Sequence, residues 1–346
     1  MFSHKGNELH TEIQKMIENG KALQCAIKMN NLQLVKILVQ KGAKINVKPS
    51  SGDYPILLAV FNEFWTIFDF LVKNGAALNV KSSSGYYLLH HLVFSDNVNM
   101  IRYVLDFPID VNVKAEESHQ TPLLLAVKYR DKEIVRALLE NGGNLNSTNI
   151  TGCNPLITAI NDNRIEIVEL LLEFGANVNQ RNPLSNLAPI HYSVREGFVD
   201  ITELLLVNGA NANAQEPNGV TPIIIASHRG NFAITKLLID YDANVNVTYG
   251  DFQTNFAVTS LHNAVMKQHD ETVDLLIKSG ANINARTNTK VTPILIAAGT
   301  NSAKNLNLLL QYGADKDIRD VTGMTPFEYS LREKYLGIMK MIWHRQ

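Results

Sequence analysis

Cysteine is scarce in this chain of 346 residues, which has only Cys25 and Cys153. So few thiols offer no disulfide framework, and a reducing compartment, the cytoplasm, is the simpler expectation. Neither charge sign is in excess: 32 basic residues face 33 acidic ones, for a net charge of −1. A nucleic acid or a membrane surface calls for a basic face, so this balance argues against both as partners. Long apolar runs are missing too. Pro55–Phe61 and Pro222–Ala226 fall far short of the ~20 residues that span a bilayer. Met1–His10 is polar and shows no apolar stretch of a secretory leader.

Catalytic signatures are absent as well. The sequence contains no G-x-x-x-x-G-K-[ST] loop, no G-x-G-x-x-G after a strand, no H-E-x-x-H, no G-x-S-x-G and no C-x-x-C. The neighbours His90 and His91 make a poor chelate, because adjacent helical residues point about 100° apart. No catalytic residue, cofactor site or metal site is therefore expected, and no enzyme.

What the sequence does have is a repeat. A Thr-Pro-like pair followed by apolar residues and then a small one returns along the chain. Copies are Tyr54-Pro55-Ile56, Thr121-Pro122-Leu123, Asn154-Pro155-Leu156, Ala188-Pro189-Ile190, Thr221-Pro222-Ile223, Thr292-Pro293-Ile294 and Thr325-Pro326-Phe327, with degenerate copies at Lys21, Tyr87 and Thr259. The second positions stand at 22, 55, 88, 122, 155, 189, 222, 260, 293 and 326, a step of 33 or 34 broken once by 38. A Gly-Ala pair followed by Asn keeps the same period, as in Gly42-Ala43…Asn46 and Gly209-Ala210…Asn213. Between the landmarks lie two segments of helical period, such as Pro155–Ile160 and then Ile165 to Leu172.

Each landmark has a physical cause. Proline suits the first turn of a helix, and a preceding Thr can cap that turn. Ala126, Ala159, Ala226 and Ala297 let two helices approach closely. Glycine stops the second helix in the left-handed conformation, and the following Asn suits a tight turn. Phe107-Pro108 and Tyr241-Asp242 stand where that glycine is due, so the third and seventh copies are candidates for irregularity. Cys25, inside a first helix, is expected as a buried, inert thiol. Cys153, near a hairpin tip, is expected to be exposed.

These residues and their spacing resemble the ankyrin-repeat family, whose unit of about 33 residues pairs a β-turn with two antiparallel helices under a T-P-L-H-x-A signature. The resemblance covers roughly Leu9 to Trp343. It implies an all-α repeat solenoid, about ten antiparallel helix pairs with β-hairpin fingers. The signature His survives at His90, His191 and His262, where it supports the turn by hydrogen bonding. Residues 1–20 read as an N-terminal capping helix with an apolar stripe of Leu9, Ile13, Met16 and Ile17. Residues 21–324 read as the array and 325–346 as a C-terminal capping repeat, with Arg332, Glu333, Lys334, Lys340 and Arg345 wetting its outer face. In metazoan members of the family the hairpin asparagines can be hydroxylated, given a host with the enzyme.

The resemblance also implies a partner protein held by hairpin tips and first-helix faces. Phe61, Tyr86, Phe94 and Tyr129 fall at such positions, and so do His228 and Arg229 at the exposed end of a first helix. Aromatic and Arg residues dominate interface energy. Phe61, Tyr86 and Phe94 lie on neighbouring copies, either as one patch or packed locally. The 38-residue step places five extra residues in Val247–Val258, a finger that carries Tyr249, Phe252 and Phe256. Either a partner covers these rings or they fold back. Lys48, Lys81, Lys114, Arg181, Arg286 and Arg319 recur beside the hairpins, as a ladder that steers an acidic partner or as a solvated face.

The leading reading is a monomeric, cytoplasmic adaptor or scaffold that binds another protein. Alternatives are a secreted or injected host-directed effector or toxin, acting in a host cell, a nuclear adaptor, or the ankyrin portion of a larger signalling or channel protein.

Overall fold

The computed structural model describes residues 14–18, 20–48, 52–250 and 257–344. Leu9, Ile13, Phe252, Phe256 and Arg345 lie outside the described residues. The chain divides into two compact units, Met1–Thr158 and Ala159–Gln346.

In the first unit a short helical stretch at 14–18 buries Ile17 and exposes Met16. Helix pairs follow: α1 (Lys21–Lys28) with α2 (Leu32–Gln40), α3 (Pro55–Phe61) with α4 (Trp65–Lys73), α5 (Leu88–Phe94) with α6 (Val98–Leu105), and α7 (Pro122–Tyr129) with α8 (Lys132–Glu140). First helices pack on first helices, α1 on α3, α3 on α5 and α5 on α7, while α6 packs on α8. The division between the units falls inside α9 (Pro155–Asn161).

The second unit holds α10 (Ile165–Glu173), then α11 (Pro189–Glu196) with α12 (Val199–Val207), α13 (Pro222–Arg229) with α14 (Phe232–Asp240), and α15 (Ser260–Met266) with α16 (Asp270–Lys278). It closes with α17 (Pro293–Gly299), α18 (Ala303–Gln311), α19 (Pro326–Arg332) and α20 (Leu336–Trp343).

Helix starts follow the sequence logic in part. The hydroxyls of Thr121 and Thr325 accept the backbone N–H groups of Leu124 and Glu328, and Glu328 reaches back to Thr325 N at 2.6 Å. This reciprocal cap satisfies two otherwise orphaned donors. Thr221 and Thr292 stand at the same register, yet their hydroxyls find no partner. The fingers are hydrogen-bonded turns. Their bases close by one recurring bond, as from Ser82 N to Tyr86 O, Glu216 N to Val220 O and Thr287 N to Val291 O. Antiparallel bridges form at Lys81–Tyr87 and Tyr249–Val258.

Within each unit, the asparagines after the glycines tie one helix pair to the next. Asn213 donates from Nδ2 to Asp242 O at 2.9 Å, and its Oδ1 accepts from Asn244 N at 2.7 Å. Asn46, Asn112, Asn179 and Asn246 make the same two bonds. The Asn two residues earlier fixes the turn from within, as Asn211 Oδ1 accepts from Asn213 N. The five extra residues leave the clamp intact: Asn246 reaches Gly280 across 34 residues, where Asn213 crosses 29.

The two irregular copies come out differently. Asp242 takes φ 60°, and the bonds Asp242 N to Ile239 O and Ala243 N to Leu238 O repeat those of the glycine copies. Asp tolerates the left-handed region, so this copy is regular. Pro108 cannot follow, because its ring fixes φ near −65°. Helix α6 stops at Leu105, one residue earlier than every other second helix except the last. Asn79 keeps the bond from Asp110 N.

The cysteine expectations reverse. Ala26 occupies the small-residue slot of α1 and is fully buried, while Cys25, one residue or about 100° away, is exposed. Cys153 is buried on the return of its finger, where its carbonyl accepts from Asn149 N and its N–H donates to Asn149 Oδ1 at 3.0 Å.

The three signature histidines are buried. The Nδ1 of His90 accepts from Tyr87 N, and its Nε2–H donates to Gln120 O of the next finger at 2.9 Å. His191 and His262 repeat this toward Ala214 O and Val291 O. Burial lowers all three pKa values, that of His90 to about 4.

The interior of the second unit is laced with polar side chains. Ser193, Thr202, Ser227, Thr235, Asn263, Thr272 and Asn305 are all essentially inaccessible. Thr202 and Thr235 bond back to their own helix carbonyls, at 2.7 and 2.8 Å. Neither atom of the Asn305 amide has a partner. At the same register, α12 and α14 carry the buried Ile201 and Ile234.

Three outcomes follow from this packing. Asn213→Ala removes two bonds and should lower the unfolding free energy by about 1–2 kcal/mol. Asn79→Ala, tested in parallel by urea titration, should lose less. Asn305→Ile should stabilise by about 1–3 kcal/mol, because it deletes an unsatisfied buried amide, and its melting temperature should rise. The histidines set a pH dependence. Folded His90 stays neutral down to about pH 4, whereas the unfolded chain takes up the proton near pH 6.5. Stability is therefore full above pH 6.5 and falls as pH drops toward 4, by up to about 1.4 kcal/mol per pH unit from His90. In His90→Leu, urea midpoints between pH 6 and 4.5 should fall less steeply than in the wild type.

Candidate functional site

The first helices of the first unit end in large side chains. Phe61 closes α3, Phe94 closes α5 and Tyr129 closes α7, and all three are exposed. Fingers fill the space between them. Tyr86, on the return of its finger, stands edge-on to Phe94 at 5.4 Å and to His91 at 6.0 Å between ring centroids. Phe61 meets His91 edge-on at 4.7 Å, and His91 lies 6.1 Å from Phe94. The four rings form one contiguous patch across α3, α5 and the intervening finger. Edge-to-face pairs of this kind add about 0.5–1.5 kcal/mol each beyond area burial, so the patch is held in shape before anything binds.

Beside it lies an open cleft of about 410 Å³, lined by Tyr86, Phe94, Gln120, Leu125, Tyr129 and Arg130. Arg130 forms one wall. Its Nη2 donates to Phe94 O at 2.7 Å, and its Nη1 stands 3.7 Å from the Asp96 carboxylate. The ammonium of Lys128 sits 5.0 Å over the Tyr129 ring, an arrangement attractive to the ring quadrupole.

His91 is half-buried at the centre of the patch, and its Nε2 lies 3.0 Å from the Ser82 hydroxyl. Ser82 is itself buried and bonded to Ser84, so it orients the imidazole away from solvent. Burial pushes the His91 pKa down, opposed by the Asp53 carboxylate. The ring is neutral near pH 7 and packs against Phe61 and Tyr86 in T-shaped contacts.

The sequence therefore places Phe61, Tyr86, Phe94 and Tyr129 where the structure brings them together. It missed His91, Gln120, Leu125 and Arg130. A helical signal for two of them was present. His91 and Phe94 are three residues apart on α5, so they share a face, and Leu125 holds the register of His91 on α7.

Of the other candidates, Phe252 and Phe256 lie outside the described residues and the rest belong to the second unit. His228 and Arg229 are exposed at the end of α13. The His228 backbone carbonyl accepts from His269 Nε2 at 3.1 Å, and the His269 ring covers Gly230. Tyr249 turns back toward its own copy, with its hydroxyl 3.4 Å from the buried Asn263 amide. Two residues of the basic ladder link neighbouring fingers. Lys81 pairs with Glu116, and Arg181 Nη1 donates to Gln215 O at 2.8 Å. In the aromatic stretch after Phe61, Phe68 is fully buried, while Phe64, Trp65 and Phe70 are half-exposed. Among the described residues no His, Cys, Asp or Glu cluster has metal-ligand geometry, and no helix is long and apolar enough to cross a membrane.

Comparison with known proteins agrees with this architecture. The sequence pattern described as ankyrin repeats (3 copies) matches residues 22–115, 56–149, 89–182, 124–216, 190–287 and 261–345. A putative ankyrin repeat protein of fowlpox virus is 34% identical over 122 residues, which is 33% of this chain and 34% of the relative. The target of rapamycin complex 2 subunit AVO2 of Saccharomyces cerevisiae is 32% identical over 126 residues, 36% of this chain and 29% of the relative. The transient receptor potential channel pyrexia of Drosophila melanogaster is 32% identical over 111 residues, 32% of this chain and 11% of the relative. Each similarity thus spans about a third of this chain and a third or less of the relative. With the family pattern matched in overlapping stretches from residue 22 to residue 345, the chain belongs to the ankyrin-repeat family, whose repeat is a non-catalytic protein-interaction fold.

Proposed function

We propose that this protein is a cytoplasmic adaptor or scaffold that holds a partner protein through the first-unit patch of Phe61, Tyr86, His91 and Phe94 and the cleft beside it. The observation that carries this reading is the contiguity of the four rings with the cleft of Tyr129 and Arg130. Rigid aromatics bury large area at little entropic cost, and Arg and Tyr are enriched at interface hot spots. Both cysteines are free, which suits a reducing compartment. The likeness to a fowlpox virus ankyrin protein supports a second reading, in which the partner belongs to a host cell.

Affinity capture from extracts of candidate host cells, with proteins identified by mass spectrometry, tests the site. A Phe94→Ala, Tyr129→Ala double variant should lose the retained protein, with a Kd weaker by about 30-fold or more for two hot-spot side chains. A His228→Ala, Arg229→Ala variant should retain it. Both should keep the wild-type circular dichroism and melting temperature. Retention of the same protein by the Phe94, Tyr129 variant would place the site elsewhere.

A further inference from the structure

In an Asn-Gly pair the glycine nitrogen can attack the side-chain amide before it, because glycine has no Cβ to hinder the approach. The sequence has five such pairs: Asn19-Gly20, Asn74-Gly75, Asn141-Gly142, Asn208-Gly209 and Asn218-Gly219. Asn19 lies outside the described residues. Three of the others end second helices, and there every group the attack must move is held. Asn74, Asn141 and Asn208 donate from Nδ2 to Phe70 O, Ala137 O and Leu204 O, one turn back, at 2.7, 2.9 and 2.8 Å. The N–H groups of Gly75, Gly142 and Gly209 donate to Val72 O, Leu139 O and Leu206 O. Their carbonyls accept from the clamp residues Asn46, Asn112 and Asn179.

Asn218-Gly219 stands apart, at the tip of the finger between α12 and α13. Pro217 and Asn218 are both exposed. Gly219 N donates to Glu216 O at 2.9 Å, closing a tight turn. The Asn218 side chain is barely restrained: its Oδ1 accepts from Val220 N at 3.4 Å, long for such a bond. Its Nδ2 donates to nothing among the described residues. Freeing Gly219 N therefore takes only the opening of an exposed turn, which belongs to the least stable parts of a fold. At the helix ends the side-chain amide bond must break as well.

We propose that Asn218 is a site of spontaneous covalent modification, a deamidation that loosens its finger. Gly219 N gives its proton to solvent hydroxide and bonds to Asn218 Cγ. The Cγ–Nδ2 bond then breaks, and ammonia leaves with a proton taken from water. The resulting succinimide adds one water at either carbonyl, giving aspartate or isoaspartate. Isoaspartate lengthens the main chain by one carbon within the loop that Glu216 N closes on Val220 O at 2.8 Å. Glu216 is the anchor of that loop, since it is buried and its carboxylate accepts from Arg195 Nη2 at 2.6 Å. The added carbon breaks the closing bond and leaves the finger tied through the Arg195 contact.

The test ages the full chain in mildly alkaline buffer, once folded and once in concentrated urea, and follows each pair by tryptic digestion and mass spectrometry. Trypsin cuts after Arg195 and Arg229 and leaves Asn208 and Asn218 in one peptide, so the two are compared within a single molecule. In the folded protein Asn218 should convert about tenfold faster than Asn74, Asn141 or Asn208, the factor for one further hydrogen bond to be broken. In urea the four rates should converge. Electron-transfer fragmentation should find isoaspartate at position 218. The Glu216 amide of the aged protein should exchange its hydrogen faster than that of a fresh Asn218→Asp variant, which has the charge without the added carbon. Equal rates at the four pairs in the folded protein, or conversion of a helix-end pair first, overturn the proposed site. Unchanged exchange at Glu216 after ageing overturns the loosening.

Discussion

A helix of seven to nine residues is too short to persist alone in water, and a pair of them cannot bury its own apolar face. Every other feature of this chain follows from that insufficiency. Leu57, Leu89, Leu124 and their counterparts are inaccessible because another helix pair covers them, at roughly 1.5–3 kcal/mol for each large side chain. The small residues of the first helices, Ala26, Ala59, Ala126, Ala226 and Ala297, are fully covered as well, and a larger side chain would push the neighbouring helix away. Stability is thus shared between neighbours, and so is the surface. Because the inner faces are spent on stacking, the positions left for recognition are the helix ends and finger returns, where the aromatic patch lies.

The fold was legible because its cause is periodic. A 33-residue step, a Thr-Pro pair and a Gly-Ala…Asn landmark each reflect one local requirement, and each recurs where the backbone needs it. What was illegible had no period. The Thr-Pro pair does not say whether the hydroxyl will cap: Thr121 does and Thr221 does not. Cys25 and Ala26 differ by one position, which periodic reading cannot resolve but which decides burial. Asp242 replaces glycine without consequence, whereas Pro108 does not, a distinction set by the φ angle each can adopt. The patch was half legible. Phe61, Phe94 and Tyr129 were visible as bulky residues at helix ends, but His91 reads as a companion of the structural His90. Only the fold shows that one imidazole points to the next finger and the other into the aromatic cluster.

Polarity is distributed for two different purposes. The signature histidines are bonded through both ring nitrogens, which offsets their burial, and with the clamp asparagines they connect one copy to the next. Of the buried Ser, Thr and Asn side chains of the second unit, Thr202 donates to Ser193 of the paired helix and Asn263 meets the Tyr249 hydroxyl, Thr235 bonds back to the start of its own helix, and Asn305 has no partner. The first unit is built around Leu, Ile and Val, with polar groups mostly at the fingers. The half that carries the aromatic patch is therefore the half with the drier interior, which suits a surface that must keep its shape.

The asparagine clamp has a consequence for how such a chain can change. Asn213 and its counterparts grip a backbone carbonyl and a backbone N–H, and never a neighbour's side chain. The joint is therefore blind to the identity of the residues it joins. Copies can be duplicated, deleted or lengthened at a finger, as the span from Asn246 to Gly280 already is, without a compensating change next door. Pro108 marks the exception, since its ring dictates the backbone that Asn79 must meet. Of all the copies the third is the one least free to be exchanged, and it is also the one that supplies Tyr86, His91 and Phe94.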